Sequence, residues 1–326
     1  MFTLLYASLA ILLGFILLIW SADKFVLGAS STAQSFSISP LIVGVVIVGL
    51  GTSAPEMLVS AMAAFSGKTG LSVGNAIGSN ITNIGLMLGL TALIYPLEIH
   101  SKLLKREMPA LLLITAFTYF LLSDLYLSFF NGLILLCTMF AMLTFTIFEA
   151  KKQKKNNLAQ EILDDIPKNI SKKEALKWLI IGIVILIVSS RILVWGAVEI
   201  AQYYHVSDLI IGLTIVAIGT SLPELATTLA AARKKEFDLA VGNIIGSNIF
   251  NLLGVLALPG LIHPGSIEVA VLHRDFPVMI GLTLVLILFS IAWKKGKTGK
   301  TGHLCRAKGG LLLGAYFAYM YCLFVS

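Results

Sequence analysis

Apolar residues run along this chain in long blocks separated by short polar stretches, with no sustained alternation of apolar and polar positions. The blocks are roughly 16–26 residues long, which suits membrane-crossing helices and exceeds the strands of a membrane barrel. They predict ten spans at about 3–27, 40–65, 71–95, 107–122, 127–148, 175–200, 208–231, 239–262, 276–293 and 309–325. Between the fifth and sixth lies a polar, lysine-rich loop at 151–174. The first block lacks a basic leader and is longer than a signal core, so it reads as a retained span.

Composition agrees with the blocks. The chain is 57% hydrophobic and 13% charged, against about a quarter charged in soluble domains. Mean hydropathy is +0.92. The 28 glycines suit closely packed membrane helices. Cys137, Cys305 and Cys322 show no paired spacing, so neither a disulfide framework nor a zinc site is indicated.

The net charge of +7 could suggest nucleic acid, but its distribution points to membrane topology. With the 151–174 loop on the cytoplasmic side, 21 of the 24 basic residues face inward, leaving Lys68 and Arg274 outside and Arg191 within a span. Such a bias orients a polytopic protein. Both termini are then expected outside a cytoplasmic (inner) membrane.

A shift of 168 residues lays GTSAPE (Gly51–Glu56) on GTSLPE (Gly219–Glu224). The same shift lays Gly74–Gly85 on Gly242–Leu253 and Leu104–Pro109 on Leu272–Pro277. A duplicated five-span unit must cross the membrane in opposite senses, because five is odd. The expected fold is therefore all-α and integral to the membrane: ten helices as two inverted five-helix repeats, with an ion site at their interface. The corresponding division is 1–150 for the first repeat, 151–174 for the loop and 175–326 for the second repeat.

Glu56 and Glu224 lie inside apolar spans, where a carboxylate costs several kcal/mol and marks a functional site. Pro55 and Pro223 bring no N–H, so the carbonyls of Gly51 and Gly219 lose their i+4 donors. With the hydroxyls of Thr52, Ser53, Thr220 and Ser221 these groups form an all-oxygen set suited to hard cations. Asn75, Asn80 and Asn83, with Ser79, repeat as Asn243, Asn248 and Asn251, with Ser247. Buried amides can simply bond across helices, yet matching sets beside both glutamates favour cation ligation. The glycine pairs Gly74/Gly78 and Gly242/Gly246 read as packing seams. Asp23 and Arg191, at equivalent places in the first and sixth spans, are each expected to snorkel to their own interface. Arg106–Glu107 and Arg274–Asp275 read as anchors at span entrances.

The paired GTSxPE and GNxIGSN blocks resemble the alpha-repeats of the sodium/calcium exchanger family, within the cation/calcium antiporters. The likeness is to compact bacterial inner-membrane members and covers the chain outside about 151–174. It implies a calcium-for-sodium antiporter, not an enzyme, with no cofactor and only transported ions as ligands. It also implies a central diamond of spans two, three, seven and eight, across which the first and sixth slide. Glu56 and Glu224 would supply the calcium carboxylates, and the main-chain oxygens of Thr52 and Thr220 would complete the shell. Ser53 and Ser221 would serve sodium, and Asn80 and Asn248 would coordinate or orient, with Asn83 and Asn251 beside them. Some family members carry an acid at the place of Asn248 or Asn251, and serines at Ala76 and Ile244. The proton/calcium antiporter therefore stays open as an alternative. A monomer embedded in lipid, with no nucleic-acid partner, is the expected functional unit.

Overall fold

A computed structural model describes residues 2–36, 43–67, 69–99, 106–154, 170–203, 217–291, 295–296, 299–300 and 302–325. The described helices fall into ten passes at the expected places. Five are long and apolar enough to span a membrane by themselves, and the bent second span makes a sixth. The expected starts of the second and seventh spans, at 40–42 and 208–216, lie outside the described residues, as does most of the 151–174 loop.

Two helices overrun their apolar blocks. The first runs Phe2–Phe36 and the sixth Lys172–Tyr203, each about 50 Å long at 1.5 Å per residue. That exceeds the roughly 30 Å hydrocarbon core, so both must tilt or project beyond it. Hydropathy marks where a helix meets lipid, whereas helical hydrogen bonding continues through the polar ends.

These two helices pack directly on each other. A Cβ at Gly28 would lie 2.3 Å from the Leu179 nitrogen, and one at Gly182 would lie 2.6 Å from the Phe25 Cα. A Cβ at Gly196 would meet the Ala7 carbonyl at 2.6 Å and the Ile11 side chain at 3.0 Å. Ile11 and Leu179 are 168 residues apart, as are Gly28 and Gly196, so the seam obeys the internal repeat.

Local details repeat with the same offset. Ser21 and Ser189 donate to the Leu18 and Leu186 carbonyls, both at 3.0 Å. Thr115 and Thr283 donate to the Leu111 and Met279 carbonyls, both at 2.8 Å. The third and eighth spans loosen into π-helical turns at Asn83–Leu88 and Asn251–Val255, where the Leu256 amide reaches the Asn251 carbonyl. Such widened turns are frequent at functional sites.

The repeats are interleaved. Gly132 of the fifth span lies against the Ala257–Leu261 backbone of the eighth, and Gly309 of the tenth lies against Gly89 and Leu93 of the third. Short antiparallel clips reinforce both contacts: Leu97–Ile99 with Gly302–Leu304, and Tyr126–Leu127 with Gly265–Ser266. A third clip, Lys295–Gly296 with Gly299–Lys300, closes a hairpin before the tenth span.

Two expectations are corrected. Asp23 does not simply snorkel: Arg233 grips both its carboxylate oxygens at 2.6 Å, and Lys234 donates to its carbonyl at 2.9 Å. This pair joins the first span to the end of the seventh, 210 residues along the chain. The glycine seam is also one-sided. Gly49 lies against Gly246 at 3.0 Å, whereas a Cβ at Gly74 or Gly78 would meet nothing within 4 Å among the described residues. The anchor pairs do form, with Arg274 Nε 2.7 Å from Asp275 and Arg106 Nε 3.5 Å from Glu107. Tyr319 of the tenth span also donates to Asp275 at 3.0 Å.

The seam predicts that Gly182→Val lowers thermal stability in detergent by about 1–3 kcal/mol through overpacking. Gly281→Val is the control, since a Cβ there meets nothing within 4 Å among the described residues. Equal melting temperatures for the two variants would contradict this packing.

Candidate functional site

The GTSxPE sequence folds as two helical pieces around a hinge serine. Gly49–Thr52 ends at Ser53, with φ −78° and ψ 2°, before helix Ala54–Phe65 begins. Ala217–Thr220 ends at Ser221, with φ −88° and ψ 6°, before helix Leu222–Arg233. Proline belongs in a first helical turn, where its missing N–H has no intrahelical acceptor. The glutamate follows in that same turn, where the helix dipole favours negative charge. The second span bends by 42° at this break.

Both glutamates are fully buried. Each is held by the hinge serine of the other repeat: Ser221 donates to Glu56 Oε1 at 3.0 Å, and Ser53 to Glu224 Oε1 at 3.3 Å. Ser247 adds a second hydrogen bond to Glu224 Oε1 at 3.1 Å. The remaining oxygens, Glu56 Oε2 and Glu224 Oε2, have no hydrogen-bond partner.

The asparagines divide by what their atoms touch. Asn80 Nδ2 donates to the Asn248 carbonyl at 3.2 Å, and Asn248 Nδ2 donates back to the Asn80 carbonyl at 3.5 Å. This reciprocal pair lies where the repeats meet. Asn83 Nδ2 donates to Asn248 Oδ1 at 3.0 Å. The Oδ1 atoms of Asn80, Asn83 and Asn251 are left buried and unpartnered, and so is Ser79 Oγ.

Six such oxygens on the motif residues of the two repeats need an explanation, because each buried orphan costs about 1–3 kcal/mol. Two carboxylate and four neutral oxygens form the kind of shell a hard cation takes. Among the described residues no three His, Cys, Asp or Glu side chains converge. These unpartnered oxygens are therefore two from carboxylates, three from amides and one from a hydroxyl.

Most residues singled out in the sequence meet here, but their atoms serve different ends. The Thr52 hydroxyl is engaged, with Asn243 Oδ1 at 3.1 Å and Ser247 Oγ at 3.2 Å, and Thr220 is buried. Asn75 and Asn243 turn their amide nitrogens away from the unpartnered oxygens and donate to the main-chain carbonyls of Glu56 and Glu224 at 3.1 and 3.2 Å. Ser60 and Thr228, also paired by the repeat, differ in partner. Ser60 bonds Ser72 and the Val255 carbonyl, whereas Thr228 accepts from Asn243. Thr227, whose hydroxyl is buried without a partner, carried no signal in the sequence because its repeat equivalent is Val59.

The family description "Sodium/calcium exchanger protein" matches residues 6–148 and 175–325. The chain belongs to the sodium/calcium exchanger family. Within that family it is 46% identical to the putative antiporter CaxA of Alkalimonas amylolytica, over 99% of this chain and all of that one. It is 31% identical to the sodium/calcium exchanger MaX1 of Methanosarcina acetivorans, over 97% and 98% of the two chains. The fold superposes on solved structures of the exchanger NCX_Mj with a TM-score of 0.82 at 34% identity, covering 98% of both chains. The matched family segments leave out 149–174, so the shared architecture is the two five-helix repeats.

The two site serines of the third and eighth spans should separate experimentally. Ser247→Ala removes hydrogen bonds to Glu224 and to the Gly49 carbonyl, and should lower ion-free stability in detergent by about 1–2 kcal/mol. Ser79→Ala removes an unpartnered hydroxyl and should leave ion-free stability unchanged while weakening cation binding. The reverse pattern in thermal melts would contradict the hydrogen-bond assignment.

Proposed function

We propose that this member of the cation/calcium antiporter family exchanges calcium for sodium by alternating access, using Glu56 and Glu224 as its calcium carboxylates. One observation carries the proposal: two fully buried acids, each pinned at one oxygen by the opposite repeat and unpartnered at the other. Main-chain oxygens of Thr52 and Thr220 join them, Ser53 and Ser221 serve sodium, and Asn80, Asn83 and Asn251 contribute amide oxygens. Asn248 orients Asn83. The chain sits in the cytoplasmic membrane with both termini outside and works as a monomer. Residues 1–150 and 175–326 are its two transport halves, joined by the cytoplasmic loop 151–174.

The electrostatics favour exchange over leak. Two carboxylates balance one calcium ion, offsetting the large penalty of bringing an unpaired charge into a dry interior. Sodium ions on the same oxygens neutralise the site equally well. Empty, it carries two uncompensated charges and resists crossing. If more than two positive charges return per calcium, each extra one contributes about 2.3 kcal/mol per 100 mV. An inside-negative potential then drives calcium outward.

A proton/calcium antiporter is the second reading. It is favoured by Ala76 and Ile244, fully buried side chains that place no hydroxyl near the asparagines. Protons need only the carboxylates.

In proteoliposomes, an outward sodium gradient without a pH gradient should drive calcium uptake. Uptake driven only by a pH gradient would overturn sodium coupling. Glu56→Gln and Glu224→Gln should each reduce calcium flux at least a hundredfold while leaving a folded protein, because the neutral amide cannot balance a divalent ion. Near-normal flux in either variant would contradict its role.

A further inference from the structure

We propose that Asn75 and Asn243 are positioning residues, which fix the main chain of the two glutamates so that each free carboxylate oxygen faces the ion. The inference rests on the calcium reading of the site above. Each asparagine lies 19 residues after its glutamate and donates its side-chain amide to that glutamate's carbonyl, at 3.1 Å for Glu56 and 3.2 Å for Glu224. The same contact, built twice at the 168-residue offset, belongs to the duplicated design.

The hinge explains the need. Each glutamate sits three residues past a serine that has left helical geometry, so the preceding helical piece does not fix its direction. Ser221 and Ser53 hold one carboxylate oxygen of Glu56 and Glu224 respectively. A side chain held only at its tip can still swing about its own backbone. An amide on the glutamate carbonyl removes that freedom by tying the second span to the third and the seventh to the eighth.

The atoms of Asn243 are directed away from ion binding. Its Nδ2 is shared between the Glu224 carbonyl and Thr228 Oγ1, at 3.2 and 2.9 Å, and its Oδ1 accepts from Thr52 Oγ1 at 3.1 Å. Asn243 thereby joins its own glutamate to the GTSAPE segment of the other repeat. For Asn75, the Glu56 carbonyl is the hydrogen-bond partner among the described residues. The halves are thus unequal, and the larger effect is expected from Asn243.

The test uses the purified full-length chain with calcium alone, then strontium alone, titrated calorimetrically, alongside thermal melts in ion-free detergent. Groups that orient a metal's ligands change affinity by about 10- to 100-fold when removed. Asn75→Ala and Asn243→Ala should each weaken calcium binding within that range, Asn243→Ala more strongly, with the calcium-to-strontium preference kept within twofold. A changed preference would make these residues ligands and overturn the proposal. Unchanged affinity with a lowered melting temperature would make them structural only, and would also overturn it. Should an alanine variant not fold, Asn→Ser, whose hydroxyl falls short of the carbonyl, is read in the same way. If the wild type binds no calcium, the calcium reading fails, and the same variants titrated with sodium still decide the positioning role.

Discussion

Moving a carboxylate from water into a dry helical bundle costs several kcal/mol, and here two of them share one site. Their arrangement explains the local architecture around them. Each acid needs a first-turn position after a break, which places a proline one residue before it and a hinge serine three residues before it. Each hinge serine reaches across to the other acid, so neither carboxylate has its hinge hydrogen bond unless both repeats are assembled. The site therefore depends on the interface, and the interface is partly made of the site.

Around this centre the structure follows its internal symmetry in some places and departs from it in others. Hinges, widened turns, serine and threonine bonds to helix carbonyls and the first-to-sixth helix seam all recur at the 168-residue offset. Among the described residues the hydrogen bonds of Ser247 have no counterpart at Ser79, and the Gly49–Gly246 contact has none at Gly78. The Asp23–Arg233 pair also stands alone, because the repeat equivalents of these residues are Arg191 and Phe65. Inverted repeats exchange roles when access changes sides. Contacts present in one half only are what such an exchange would redistribute.

The sequence carried the fold because a 168-residue offset survives in identities, and because five spans per copy force inversion. It carried the two acids because charge is rare in apolar spans. Other features were beyond it. The repeat equivalent of Asp23 is Arg191, yet its partner is Arg233, in the last turn of the seventh span, made adjacent only by packing. The motif asparagines look alike in sequence, but the fold turns Asn75 and Asn243 toward backbone carbonyls while leaving oxygens of Asn80, Asn83 and Asn251 open. Helix lengths were underestimated at the first and sixth spans, where hydropathy stops before the hydrogen bonding does. Spacing also suggested that Gly74 and Gly78 pack a seam. Among the described residues Gly246 packs against Gly49 while a Cβ at Gly74 or Gly78 meets nothing within 4 Å, because close approach depends on the neighbour as much as on the glycine.

The central claim is that one divalent ion is held between Glu56 and Glu224. Anomalous diffraction from a crystal of the full chain grown with calcium addresses it most directly. The account predicts a peak within about 2.3–2.6 Å of Glu56 Oε2 and Glu224 Oε2. A fully occupied peak elsewhere, with both carboxylates still bonded only to serines, would contradict it.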